Sequence, residues 1–427
     1  METQIFTYFK YAGMLLCSMF LLFSCSKESE PDNKPDPDPA DQSELVLAAS
    51  ASEIDKGDAV TFEVTADGKT VDADIYIDNA KISGTNHTFE EAGTYQVVAK
   101  KEGYADSDAI AIKSYQVDVY VAGYKSTGSG TIAVYWKNGT VVPLPSETIG
   151  GSASASDITV HGEDVYVSGF TTYGSRRATY WKNGTAVHLT DGSWMAEADA
   201  IVVDGNDVYV AGFESTGSLY RATYWKNGTA THLTDGSVRT VATGIVVDGG
   251  DIHVSGYENP AIARYWKNGT AVFSGDPGTM TYDIAVDGDD VYLTGFRTYG
   301  STVPMYWKNE TPVPLSDGTP SASKNSGRAI VLNGDDIYIA GFSLGDGGAV
   351  YWKNKTAVPL NDGSGDSYYD IDAYDIAVDG ENIYVAGKYY KDSELVAAYW
   401  KNGTLITLED IYSEANSICV VRSLGKD

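Results

Sequence analysis

Three aspartates, Asp157, Asp283 and Asp375, each stand immediately before an apolar run, and Asp199 stands one place earlier in its own repeat. Carboxylates recurring in register offer hard oxygen ligands of the kind that hold Ca2+. The same groups can instead accept local backbone N–H donors, which is the reading we favour. The Asp287-Gly288-Asp289-Asp290 type of turn lacks the twelve-residue spacing and final Glu of a calcium loop. His87, His161, His188, His232 and His253 are dispersed, with no His-Glu-x-x-His and no paired Cys-x-x-Cys, which speaks against zinc. His188 and His232 share a repeat position filled by Pro or Thr in other repeats, so they read as drift and not as a catalytic pair. There is no Gly-x-Ser-x-Gly and no asymmetric set of nucleophile, base and orienting group. What enzymology remains is a carboxylate pair acting as a glycosidase, or Tyr and Arg acting as a polysaccharide lyase. The expectation is no enzyme and no cofactor.

A second set of residues is better suited to recognition. Tyr173, Arg176, Trp194, Tyr220, Arg221, Arg239, Tyr282, Arg297, Tyr299, Arg328, Tyr368, Tyr374 and Tyr389 fall in segments that differ from repeat to repeat, as do Arg177, Tyr369 and Tyr390. Tyr, Trp and Arg are the common hot-spot types, and flat aromatic faces suit sugar rings. Trp194 is the one tryptophan outside the repeated element.

What must position them is that repeat. Tyr-Trp-Lys-Asn recurs seven times, with Trp136, Trp181, Trp225, Trp266, Trp307, Trp352 and Trp400 spaced 45, 44, 41, 41, 45 and 48 residues apart. Each unit holds four short β-type runs, which predicts an all-β, seven-bladed β-propeller over 114–427. The Gly-His and Trp-Asp pair of WD40 repeats is absent. A second-strand pattern first appears at Val117–Tyr124, whereas a lone first-strand pattern, Ile418–Val421, comes at the end. That last strand should therefore complete the first blade and remove the open edge; the competing register uses Ile110–Ile112. Lys-Asn-Gly predicts a type I′ hairpin, and each Tyr-Trp pair is expected to pack between blades. This strand order gathers the variable segments at one end and the uniform turns at the other. Loops on a rigid scaffold carry function, so the variable end is the candidate face.

Residues 1–24 read as a signal peptide, because the apolar run Tyr11–Phe23 after Lys10 is too short to span a membrane. Leu22-Phe23-Ser24-Cys25 resembles a bacterial lipobox, which implies acylation of Cys25. Residues 25–43, with Pro31, Pro35, Pro37 and Pro39 among acidic residues, read as an extended tether. Residues 44–113 alternate in short runs and predict a small antiparallel sandwich. Within it Ala92–Val97 followed by Lys101-Glu102-Gly103-Tyr104 resembles the closing hairpin of bacterial immunoglobulin-like domains. Lys27-Glu28-Ser29-Glu30 resembles the export signal of Bacteroidota lipoproteins, and the whole layout resembles their surface lipoproteins. That resemblance implies lipid anchoring in the outer membrane, exposed at the cell surface, and names no ligand. Cys17, Cys25 and Cys419 cannot build a disulfide framework. With 30 basic against 59 acidic residues the net charge is −29, which speaks against nucleic acid. The expected protein is a monomer that captures an extracellular glycan; a protein partner or a structural scaffold is the alternative.

Overall fold

The computed structural model describes residues 43–146, 151–316, 325–361, 371–391 and 394–425. Cys25, nearly all of the tether, Tyr368 and Tyr369 lie outside the described residues. Among the described residues the chain is built of β-strands with one short 3-10 turn, Leu344–Asp346, and no helix is long and apolar enough to cross a membrane. It divides into two compact units. The smaller is built from residues up to Ser50, Thr61–Asn86 and Gln96–Ile110; the larger from Ala51–Val60, His87–Tyr95 and residues from Ala111 on.

In the smaller unit, Val46–Ala49 runs antiparallel to residues 62–65, pairing Leu47 with Val64. Asp74–Ile77 runs antiparallel to Gly93–Lys100, pairing Ile77 with Val97. Burial alternates along these strands, with Leu47, Phe62, Val64, Ile75, Ile77, Val97 and Ala99 turned inward.

The larger unit repeats one four-stranded antiparallel sheet. Six such sheets follow one another, the first being Ala153–His161, Asp164–Tyr173, Ser175–Lys182 and Thr185–His188. The same four strand types occur once more with a break in chain order. Ile110–Thr127 pairs with Gly130–Lys137 on one side and, on the other, with Ser413–Ser423, setting Ile418 opposite Val121. The strand supplied from the far end of the chain is thus present as expected. Ile110–Thr127 is one unbroken strand, where the sequence reads as two runs.

Both faces of each sheet are apolar because each packs on a neighbour. Trp225, Val210 and Ile201 share a cluster with Tyr166 and Ala178 of the preceding sheet. Equivalent clusters join every later pair, and one joins Trp136 and Val121 to Tyr384 and Tyr399 of the last sheet. All seven tryptophans of the repeat are at most 3 % exposed.

Turn chemistry fixes the register. Asn183 and Gly184 have φ of 49° and 79°, the two positive values that a type I′ hairpin needs. The Asn183 side chain also accepts the Val165 N–H at 2.9 Å and donates to Asp164 at 2.7 Å. Lys182 pairs with the same carboxylate at 2.8 Å and lies 5.0 Å above the Tyr166 ring. This Asp-Lys-Asn cassette recurs from Asp118 with Lys137 to Asp336 with Lys353, and ends in the last sheet, where Asn382 replaces the aspartate.

Candidate ligand-binding site

Each first strand carries a β-bulge, whose extra residue is Ser156, Asp199, Thr243, Tyr282, Arg328, Tyr374 or Asn416. A bulge takes one residue out of the ladder and re-aims its side chain. Glycine must face it. A Cβ on Gly212 would lie 2.0 Å from the Glu197 carbonyl oxygen, and Gly123, Gly169, Gly256, Gly295, Gly341 and Gly387 are equally hemmed in. The first strands start near Ala153 and Ala196, several residues before the apolar runs that mark them in the sequence. Tyr282, Arg328 and Tyr374 consequently belong to strands, not to connections.

One place after three of these bulges stand Asp157, Asp283 and Asp375, and each spans two sheets. Asp157 accepts the N–H of Ile158 and that of Ile201 in the next sheet, both at 2.8 Å. Asp283 does the same for Ile284 and Ile330, and Asp375 for Ile376 and Ile418. Each of the three carboxyls thus satisfies backbone N–H groups of two sheets. Among the described residues no group of three or more His, Cys, Asp or Glu is placed to hold a metal ion. Burial pushes the carboxyls of Asp283 and Asp375 up to about 7, with the neighbouring aspartates adding to it, and burial raises Asp157 too.

A cavity of about 350 Å3 opens at the variable end, drawing on four successive sheets. Arg176, Met195, Glu197, Asp199, Phe213, Tyr220, Arg239, Val241, Thr243, Tyr257 and Tyr282 line it. Arg176 is neutralised within the wall, paired with Glu197 and lying 4.4 Å over the Phe170 ring. Tyr220 stacks on Phe213 at 4.4 Å, and the Arg239 guanidinium lies 4.3 Å over Tyr220. Arg239 has no carboxylate partner among the described residues, and Asp199 accepts no hydrogen bond there. Burial pushes the Asp199 carboxyl well above the usual range; Glu197 adds to the shift and Arg176 opposes it. Beyond Tyr282 the wall continues through Arg328, held 4.9 Å from the Tyr282 ring and 5.9 Å from the Tyr374 ring.

The structure thus gathers Arg176, Tyr220, Arg239 and Tyr282 around one cavity, with Arg328 and Tyr374 adjoining. Other recognition candidates lie apart. Trp194 is 62 % exposed beside a hollow of about 100 Å3, where Arg221 is paired with Glu214 at 2.8 Å. Arg297 pairs with Asp276 at 3.1 Å in another hollow, with Phe273 and Trp307. Tyr389 is buried in its strand, its hydroxyl 3.1 Å from Thr407, so it packs and does not face solvent. The side chains of Tyr173 and Tyr299 are outside the described set. Glu197, Phe213 and Tyr257 were not singled out from the sequence. The signal for the last two is the aromatic residue that follows the repeated glycine of the second strand.

A further cavity, of about 250 Å3, lies at the uniform end, where His253 stands in place of the tyrosine found at Tyr209 and Tyr292. Its Nδ1 is 2.8 Å from the Tyr265 hydroxyl oxygen.

No protein-family model matches this chain, and no curated protein matches it. Among solved structures it is similar to a Mycobacterium tuberculosis puromycin-hydrolyzing peptidase, at a TM-score of 0.44 and 12 % identity over 68 % of this chain. The match spans 53 % of that structure's length.

Proposed function

We propose that the larger unit is a seven-bladed β-propeller closed by Ser413–Ser423, preceded by an immunoglobulin-like sandwich. The chain is a lipid-anchored, monomeric protein of the outer cell surface that captures an extracellular glycan without cleaving it. The cluster joining the last sheet to the first supports the closed ring. The observation that carries the binding reading is the cavity at the variable end, where the Tyr220, Tyr257 and Tyr282 side chains stand among hydrogen-bonding groups. Planar apolar faces combined with a few fixed polar groups are the general make-up of a small-ligand site, and of sugar recognition in particular.

The experiment is a panel of host and plant polysaccharides run against the purified protein, recording gel retardation and the appearance of new reducing ends together. Retardation without new ends is the expected result. New ends would overturn the binding-only reading and direct attention to Asp199 and Glu197. Absence of both signals would remove the glycan.

A further inference from the structure

Among the described residues, two polar side chains at the variable-end cavity have no hydrogen-bond partner. Asp199 is the bulge residue of its strand, turned out of the ladder. Protein atoms surround its carboxyl while one side keeps a window onto the cavity. A half-buried carboxyl open to a cavity is free to bond whatever enters it; among the described residues Asp199 accepts no hydrogen bond. Arg239 is the second group. Its guanidinium is laid flat over the Tyr220 ring, which itself rests on Phe213, so its orientation is fixed by stacking while its N–H edge is left unused. Tyr257 lies near both.

The charge count of the cavity is specific. Arg176 and Glu197 cancel one another. Burial raises the Asp199 carboxyl well above the usual carboxylate range, Glu197 adds to the shift and Arg176 opposes it. The uncompensated charge is that of Arg239, a planar fork that matches a carboxylate in two parallel hydrogen bonds. A local cation thus stands within a chain of net charge −29.

Resting on the glycan reading above, we infer that the cavity takes a carboxylated sugar unit, with the carboxylate on Arg239, the ring hydroxyls on Asp199 and Tyr257, and a ring face against Tyr282. The aromatic wall contributes contact to any pyranose, and Arg239 supplies the preference for the acidic one.

The test is calorimetric titration of the full protein with uronate trisaccharides of galacto, gluco and manno configuration, their methyl esters, and the corresponding neutral trisaccharides. At least one free acid should bind at least tenfold more tightly than its ester. Arg239→Ala should bring the affinity for the free acid down to that for its ester, and Arg239→Lys should restore only part of the difference. Asp199→Asn should weaken acid and ester alike. Arg239 is exposed, so its variants should keep the parent melting temperature, which is measured alongside. Equal binding of acid, ester and neutral sugar, or an acid preference that survives Arg239→Ala, overturns the assignment while leaving the glycan reading intact. Binding of none of these sugars, with polysaccharide retardation also absent, removes both.

Discussion

Asp375 Oδ2 accepts the backbone N–H of Ile418 at 2.8 Å, so that a carboxyl of one sheet fixes the strand inserted into its neighbour. The same oxygen is 2.7 Å from Ser417 Oγ, which is also 2.7 Å from Asp157 Oδ1. Serine has one proton to donate. Both contacts are fully satisfied when one of the carboxyls carries a proton of its own.

Stability should accordingly depend on pH in the direction opposite to ordinary acid denaturation. The carboxyls of Asp283 and Asp375 keep their protons up to about 7 in the folded chain, against 3.8 for a free aspartate. Between those values the native state binds more protons than the unfolded one, so this contribution to stability falls as pH rises from about 4 to about 7 and is constant above. Surface aspartates such as Asp164 and Asp207 lie below the usual range through their lysine partners, and their contribution is lost only at lower pH. Melting temperature followed from pH 4 to 8 should decline, and the slope should shrink in Asp375→Asn.

Removing the inserted strand should destabilise the larger unit. A chain ending before Ile418 loses the pairing with Val117–Val121 and takes Ile418 and Val420 out of the cluster of Val121, Trp136 and Tyr399. A large drop in melting temperature is expected, and an unchanged value would show that the inserted strand does not hold the repeated sheets together.

Two hairpins depart from the Asn-Gly rule at a stated cost. Glu310 and Lys355 occupy the second turn position at φ of 68° and 73°, where side chains cost about 1 kcal/mol or more. Glu310→Gly and Lys355→Gly should each raise stability by about 1 kcal/mol in denaturant titration, without altering the fold.

Gly212→Ala should do the reverse. The added methyl would meet the Glu197 carbonyl at 2.0 Å, an encounter with backbone that no rotamer relieves. A loss of roughly 3 kcal/mol is expected, comparable to the roughly 3–5 kcal/mol for emptying the Trp225 site with Trp225→Ala.

Trp194→Ala together with Tyr220→Ala should weaken glycan binding by about 2 kcal/mol if both are anchors. Tyr220 lines the cavity whereas Trp194 stands at the separate, smaller hollow, so separating the two single variants shows which position the ligand reaches. Tyr389→Phe should leave binding unchanged.

Much of this was readable in the sequence because the repeat states it seven times. The Trp136-to-Trp400 series, the Asn-Gly turns and the strand from the far end all follow from spacing and residue type. The starts of the first strands do not. Ala153, Ala155, Ala196, Ala198, Ala242 and Ala415 are all fully or almost fully buried, in a region too crowded for larger side chains, and a run of small residues carries no strand periodicity. Bulges are equally silent, so Tyr282 and Arg328 read as loop residues. The Asp-Lys-Asn cassette escaped notice because its aspartate is 19 residues from its lysine at Asp118 and Lys137. The cavity is legible only in part: its arginines stand out in the sequence, whereas Asp199 gains meaning from having no neighbour to bond.

The insertion of Ser413–Ser423 beside Ile110–Thr127 also sets a timetable. Tyr124 and Glu414, hydrogen-bonded across that seam, are 290 residues apart in the chain. At translation rates of 5–20 residues per second, roughly 15–60 s separate the making of the two strands. Throughout that interval the Gln116–Lys125 part of Ile110–Thr127 offers a bare edge to any other strand nearby, including that of a second nascent copy. Ribosome pausing or premature termination within those 290 residues would therefore produce aggregation-prone chains, however stable the finished fold.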